Sequence, residues 1–110
     1  MSKDFNPHEA IDFLFKHAKE YAQAKANRVY LEQFRKTKKA ILMNDCDKKT
    51  GVDKEAFAYA HPEYQEVIQG LRVAVENETT LQWKLIAAQA RIDVWRSEEA
   101  SNRGLDKRAA

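Results

Sequence analysis

Apolar and polar positions in the second half of the chain alternate at steps of three and four residues. Tyr64, Val67, Leu71, Ala74, Leu81, Leu85, Ala88, Ile92 and Trp95 keep this rhythm. Glu78, Glu99 and Asn102 occupy the same register with polar side chains. A side chain returns to one helix face every 3.6 residues, so the spacing predicts one long amphipathic helix over 62–102. Pro62 suits the first turn, where a missing N–H costs nothing. Glu63 and Glu66 place negative charge near the positive end of the helix. Asn102, Arg103 and Gly104 predict its stop. Gly70 interrupts the pattern at a cost of about 1 kcal/mol relative to alanine. At about 1.5 Å per residue this helix is a rod of roughly 60 Å. Its seam needs another long helix, or copies of itself, to be buried.

The first half predicts a second long helix, over 7–43. Asn6 is placed to cap it, Pro7 fits its first turn, and Glu9 sits three residues after the cap. Ile11, Phe15, Ala18, Ala22, Ala26 and Tyr30 define one face, which Phe34 and Ile41 continue. Leu14, Tyr21, Val29 and Leu31 widen the stripe. Residues 44–53 read as a polar loop ending near Gly51. Asp53 is a candidate cap for a short helix, Lys54 to Ala60. His61-Pro62 then breaks the chain out of the helical region. Residues 1–5 read as a frayed end and 103–110 as a polar, flexible tail. The expected fold is all-α: one domain, two long helices forming a hairpin, and a short helix at the corner over 44–61. An oligomeric bundle is the expected assembly.

Composition narrows the function. Apolar residues are 44% of 110 residues and charged residues 33%. That supports a narrow seam better than a wide core, so oligomerisation is expected. With one cysteine, Cys46, no disulfide forms within the chain. No apolar run approaches membrane-spanning length. Lys3, Asp4, Glu9 and Asp12 interrupt the N-terminal apolar residues, unlike a secretory signal. The expected location is the cytoplasm.

Charge is unevenly distributed. Residues 1–50 hold 11 Lys/Arg against 7 Asp/Glu, and residues 51–110 hold 8 against 10. The excess peaks at Arg35, Lys36, Lys38 and Lys39, then at Lys48 and Lys49. Such a cluster either attracts phosphate through counterion release or forms a solvated helix face. His8, His17 and His61 lack a second ligand at metal spacing. Asp45, Asp47 and Asp53 do not make a calcium loop, because Thr50 and Ala56 stand where glycine and glutamate are required. Glu98 and Glu99 are adjacent on a helix and point about 100° apart, so they form no catalytic dyad. No enzyme motif, metal site or cofactor is expected. Trp95 lies on the seam. Trp83 lies off it, where it suits either a second subunit interface or stacking on an unpaired base.

Several stretches carry a family resemblance. They are Lys25-Ala26-Asn27-Arg28, Tyr30-Leu31-Glu32, Lys36 to Met43, and Tyr64, Leu71, Leu81-Gln82-Trp83, Ala88 and Ile92, followed by a short basic tail. In this order the chain resembles the UvsY-like recombination mediators of tailed phages. That family's basic motif is similar to Lys38-Lys39-Ala40-Ile41-Leu42-Met43, with Ile41 standing where the family has arginine. The resemblance implies a small helical protein in the host cytoplasm that assembles into a ring-like homo-oligomer. It also implies binding of single-stranded DNA and help in loading a recombinase onto strands covered by single-strand-binding protein. Under this expectation Arg35, Lys36, Lys38, Lys39, Lys48 and Lys49 contact the strand. Leu71, Leu81, Trp83, Leu85, Ile92 and Trp95 form the subunit interface. The alternative is a non-enzymatic helical protein-binding module, such as a phage assembly factor or an inhibitor of a host protein.

Overall fold

The computed structural model describes residues 5–109. It is a helical hairpin of three helices: α1 (Pro7–Asp45), α2 (Gly51–Ala60) and α3 (Pro62–Ala109). Most of the expected frayed end, residues 1–4, lies outside the described residues, as does Ala110.

The helix boundaries follow local chemistry. Asn6 caps α1 by accepting the His8 N–H on its side-chain oxygen at 2.9 Å. The loop after α1 is shorter than expected, only 46–50. Thr50, not Asp53, caps α2: its extended backbone (φ −98°, ψ 154°) lets its hydroxyl accept from the Asp53 N–H at 3.1 Å. Asp53 instead sits in the first turn, where its charge complements the helix dipole. His61 both ends α2 and starts α3. Its extended backbone (φ −69°, ψ 136°) is what the following proline demands. Its N–H reaches back to the Ala58 carbonyl, and its ring Nδ1 accepts from the Glu63 N–H at 3.1 Å.

The expected stop near Asn102 is corrected: α3 continues through Gly104 to Ala109. No described glycine has a positive φ, so Gly104 does not adopt the left-handed cap. Lys107 and Arg108 in the last turn face the negative end of the dipole. Gly70 also stays helical, and a Cβ built there meets nothing within 4 Å. Gly70→Ala is therefore expected to stabilise the chain by about 0.5–1 kcal/mol, measured by urea unfolding. A loss of stability would show that α3 needs glycine at this position.

The chain divides into two compact units. One is Ala22–Thr79; the other joins the chain up to Tyr21 with the chain from Thr80 onward. In the first unit, Leu42 of α1, Ala58 of α2 and Tyr64 of α3 form a buried cluster against which Met43 and Ile68 pack. Ala24, Ala74 and Glu78 are buried as well. In the second unit Ala88 and Ile92 are buried, with Phe13, Leu14, His17 and Tyr21 of α1 half-buried.

The predicted face of α3 is the buried one. The predicted face of α1 is not. Ile11, Phe15, Ala18, Ala22, Ala26, Tyr30 and Ile41 are exposed, Phe15 to 80%. Of the residues that widen that stripe, Leu14, Tyr21 and Leu31 do turn inward, together with Ala10, His17, Ala24, Arg28, Arg35, Lys38 and Leu42. These positions also step by threes and fours. The continuous seam is hidden in the sequence because His17, Arg28, Arg35 and Lys38 interrupt the apolar pattern. Long basic side chains bury their stems while the charged head finds a partner.

Candidate interaction surface

The inward turn of α1 changes what its basic residues can do. Lys38 Nζ lies 3.0 Å from Glu63 Oε2. Lys39 Nζ donates to Glu55 Oε1 at 2.6 Å and to the Tyr59 hydroxyl at 2.7 Å. Arg35 is half-buried, and its Nε is shielded from solvent with no hydrogen-bond partner. Lys36, Lys48 and Lys49 are exposed. The expected strand-binding cluster is thus split. Arg35, Lys38 and Lys39 face the hairpin interior, and Lys36, Lys48 and Lys49 face solvent. Beside them Tyr30 and Phe34 stack with ring centroids 5.9 Å apart and planes 12° from parallel, and Tyr30 is exposed.

These contacts shift titrations. The hydrogen bond from Lys39, and then its charge, hold the Glu55 carboxyl below its ordinary range. Lys38 does the same to Glu63. The hydrogen bonds to Glu55 and Tyr59 push Lys39 up. A second polar cluster crosses the seam of the same unit. Arg28 grips Glu78 with two bonds, Nε to Oε2 at 2.6 Å and Nη2 to Oε1 at 3.0 Å. Its Nη1 also reaches Glu32 at 3.1 Å. Those bonds lower the Glu78 carboxyl and raise the Arg28 guanidinium.

The residues expected at a subunit interface also separate. Leu71, Leu81, Leu85 and Trp95 are half-buried and Ile92 is buried, all on the inward face of α3. Within this hairpin they are intrachain packing positions. Trp83 alone of the six points outward, 63% exposed. It begins a stripe that sequence reading did not follow further: Trp83, Ala87, Ala90, Val94, Ser97, Ser101 and Leu105. All are exposed and none is charged. They recur at steps of four and three, so they share one face of α3. Counting the spacing of Trp83 as well as that of Leu85 would have exposed this second stripe.

Beside it, Phe5, Asn6, Glu9, Ala10 and Phe13 line a groove of about 500 Å³ with Lys84, Ala87, Ala88 and Arg91. The Arg91 guanidinium lies 4.8 Å from the centre of the Phe5 ring, a cation–π contact. Of the other two histidines, His17 has side-chain partners. His17 Nδ1 is 3.0 Å from Glu20, and the His17 ring packs on Phe13. The Cys46 thiol donates to the Met43 carbonyl at 3.3 Å. Among the described residues, no group of three or more His, Cys, Asp or Glu side chains is placed to hold a metal ion. No described helix is long and apolar enough to cross a membrane.

Comparison with protein-family models, curated proteins and solved structures finds no match. The resemblance to UvsY-like mediators therefore rests on the residues quoted for it.

Proposed function

We propose that this chain is a non-enzymatic helical interaction module that works by assembling with copies of itself. One observation carries the reading: the outward stripe of α3 from Trp83 to Leu105 holds no charge, in a chain that is one-third charged. A solvated helix face of this length ordinarily carries charged residues, and a helix with apolar residues on two faces has two partners. Its first partner is α1. Its second is another chain.

A second reading, strand binding by a recombination mediator, is favoured by the Tyr30–Phe34 stack, in which Tyr30 is exposed, and by Lys36, Lys48 and Lys49. Aromatic faces stack on unpaired bases and lysines track the phosphates. Lys38 and Lys39, tied to Glu63 and Glu55, contribute less free charge than their sequence suggests.

Two measurements on the full chain test these readings. Sedimentation equilibrium over a wide concentration range is expected to show self-association. A monomer throughout overturns the module reading. Fluorescence anisotropy with a labelled single strand tests the second. If the chain is a mediator, binding falls steeply with added salt and is lost on replacing Lys36, Lys48 and Lys49 by alanine. No binding at low salt removes that reading.

A further inference from the structure

We infer that the outward stripe of α3 pairs antiparallel with the same stripe of a second copy, in one register fixed by Arg91 and Glu98. This rests on the self-assembly reading above and adds the face, the direction and the alignment.

The stripe itself suits a close helix pair. Ala87, Ala90, Ser97 and Ser101 of the stripe are small, as is Gly104 next to Leu105, which lets two helix axes approach closely. Val94 sits near its middle, 46% exposed, and Trp83 stands at one end. A two-fold interface repeats each contact, residue i on j and j on i. With the two-fold axis passing near Trp95 and Arg96, Val94 lies opposite Ser97 of the second copy. Ala90 then faces Ser101, Ala87 faces Gly104, and Trp83 meets Arg108. The last pair places a guanidinium against an indole, a favourable cation–π contact.

The flanking charges choose among alignments. On one flank of the stripe lie Lys84, Arg91 and Glu98, spaced seven residues apart. In the alignment just given, Arg91 falls beside Glu98 of the second copy, twice by symmetry. Sliding one heptad in one direction sets Arg91 against Arg91. Sliding the other way sets Glu98 against Glu98. A parallel pair sets Asp93 beside Glu98, a like-charge contact also repeated by symmetry. Opposite charges at such flanking positions set partner orientation in paired helices. Glu98 is half-buried and already has an interaction within the chain. A carboxylate has about four lone-pair sites, so Glu98 has the capacity to accept from a guanidinium of the second copy beside that contact. Arg91 is exposed and keeps donors free beside its contact with Phe5.

The experiment is a charge-reversal series on the full chain, read by sedimentation equilibrium, with circular dichroism checking helicity. Arg91→Glu and Glu98→Arg are each expected to weaken self-association about tenfold or more, the equivalent of about 1.4 kcal/mol. The double variant, Arg91→Glu with Glu98→Arg, is expected to regain wild-type association, because the pair is restored with its signs exchanged. Val94→Glu, at an exposed position, is expected to abolish association while leaving helicity unchanged. Association that survives Val94→Glu overturns this interface but leaves the self-assembly reading standing. Single reversals without effect, or a double variant that stays weak, overturn the register. A wild-type chain that is monomeric at every concentration overturns both this inference and the reading beneath it.

Discussion

Leu42→Ala is expected to lower the unfolding free energy by about 2–5 kcal/mol. Leu42 is only 5% exposed and touches all three helices through its cluster with Ala58 and Tyr64. Removing three side-chain carbons loses their transfer free energy and opens a cavity. That cavity cannot close easily. Ala58 is fully buried and has no side chain to swing in, and Tyr64 packs edge-on against the Tyr59 ring with centroids 5.3 Å apart. Leu42→Met conserves volume and is expected to cost less than about 1.5 kcal/mol. Urea unfolding at one fixed protein concentration measures both, since self-association would make stability concentration-dependent. Equal, small losses for the two variants would mean that the corner is not the anchor of this hairpin.

The second large effect concerns the charge inside the seam. Glu78→Leu is expected to destabilise the chain more than Glu63→Gln does. Glu78 is buried and accepts both bonds of Arg28, whereas Glu63 is largely exposed. Cutting one partner of a buried pair strands the other. The double variant, Arg28→Leu with Glu78→Leu, is expected to recover most of the loss, since an apolar pair fills the seam without a charge to desolvate. The same bonds predict an acid limit. Glu78, Glu63 and Glu55 all titrate lower in the folded chain than in the unfolded one. Their contribution is present above the unfolded carboxylate value of about 4.3 and is lost as pH falls through their lowered folded values. Lys39 acts in the opposite sense. Its folded value is raised, so its contribution is complete below about 10.4 and is lost as pH rises through the folded value. Thermal unfolding should therefore show stability rising as pH increases from about 2 to about 5, and levelling off above that. The rise should be smaller in the Arg28→Leu, Glu78→Leu double variant. An equal rise in both would show that the Glu78 carboxylate is not responsible.

These particulars show how far the amino-acid pattern carries. The seam of α3 was legible because its positions are apolar or small almost throughout, with Glu78 as the one charged member below Glu99. The seam of α1 was not. It places cations at three inward positions, Arg28, Arg35 and Lys38, and a competing stripe of better hydrophobes, Ile11, Phe15 and Tyr30, points outward. A pattern of apolar residues cannot register a carboxylate fifty positions away that makes burying an arginine favourable. The same blindness made Lys38 and Lys39 read as free charge, because Glu63 and Glu55 reach them only once the corner has folded. Trp83 was separable from the α3 seam by spacing alone. Leu71, Leu81, Leu85, Ile92 and Trp95 have the periodicity of an interface, and periodicity does not say whether the second helix belongs to the same chain.

The corner also sets an order of events. Its cross-helix contact between Lys39 and Glu55 closes a loop of only 16 residues, whereas Arg28 and Glu78 close one of 50. Closing the longer loop from an unfolded chain costs more entropy, by about 0.6 kcal/mol per doubling of length. Once Leu42, Ala58 and Tyr64 are in contact, the remaining closure is a short step along helices already side by side. Within residues 22–79 the hairpin should therefore nucleate at α2 and zip away from it, with Leu42 structured in the folding transition state and Ala24 joining later.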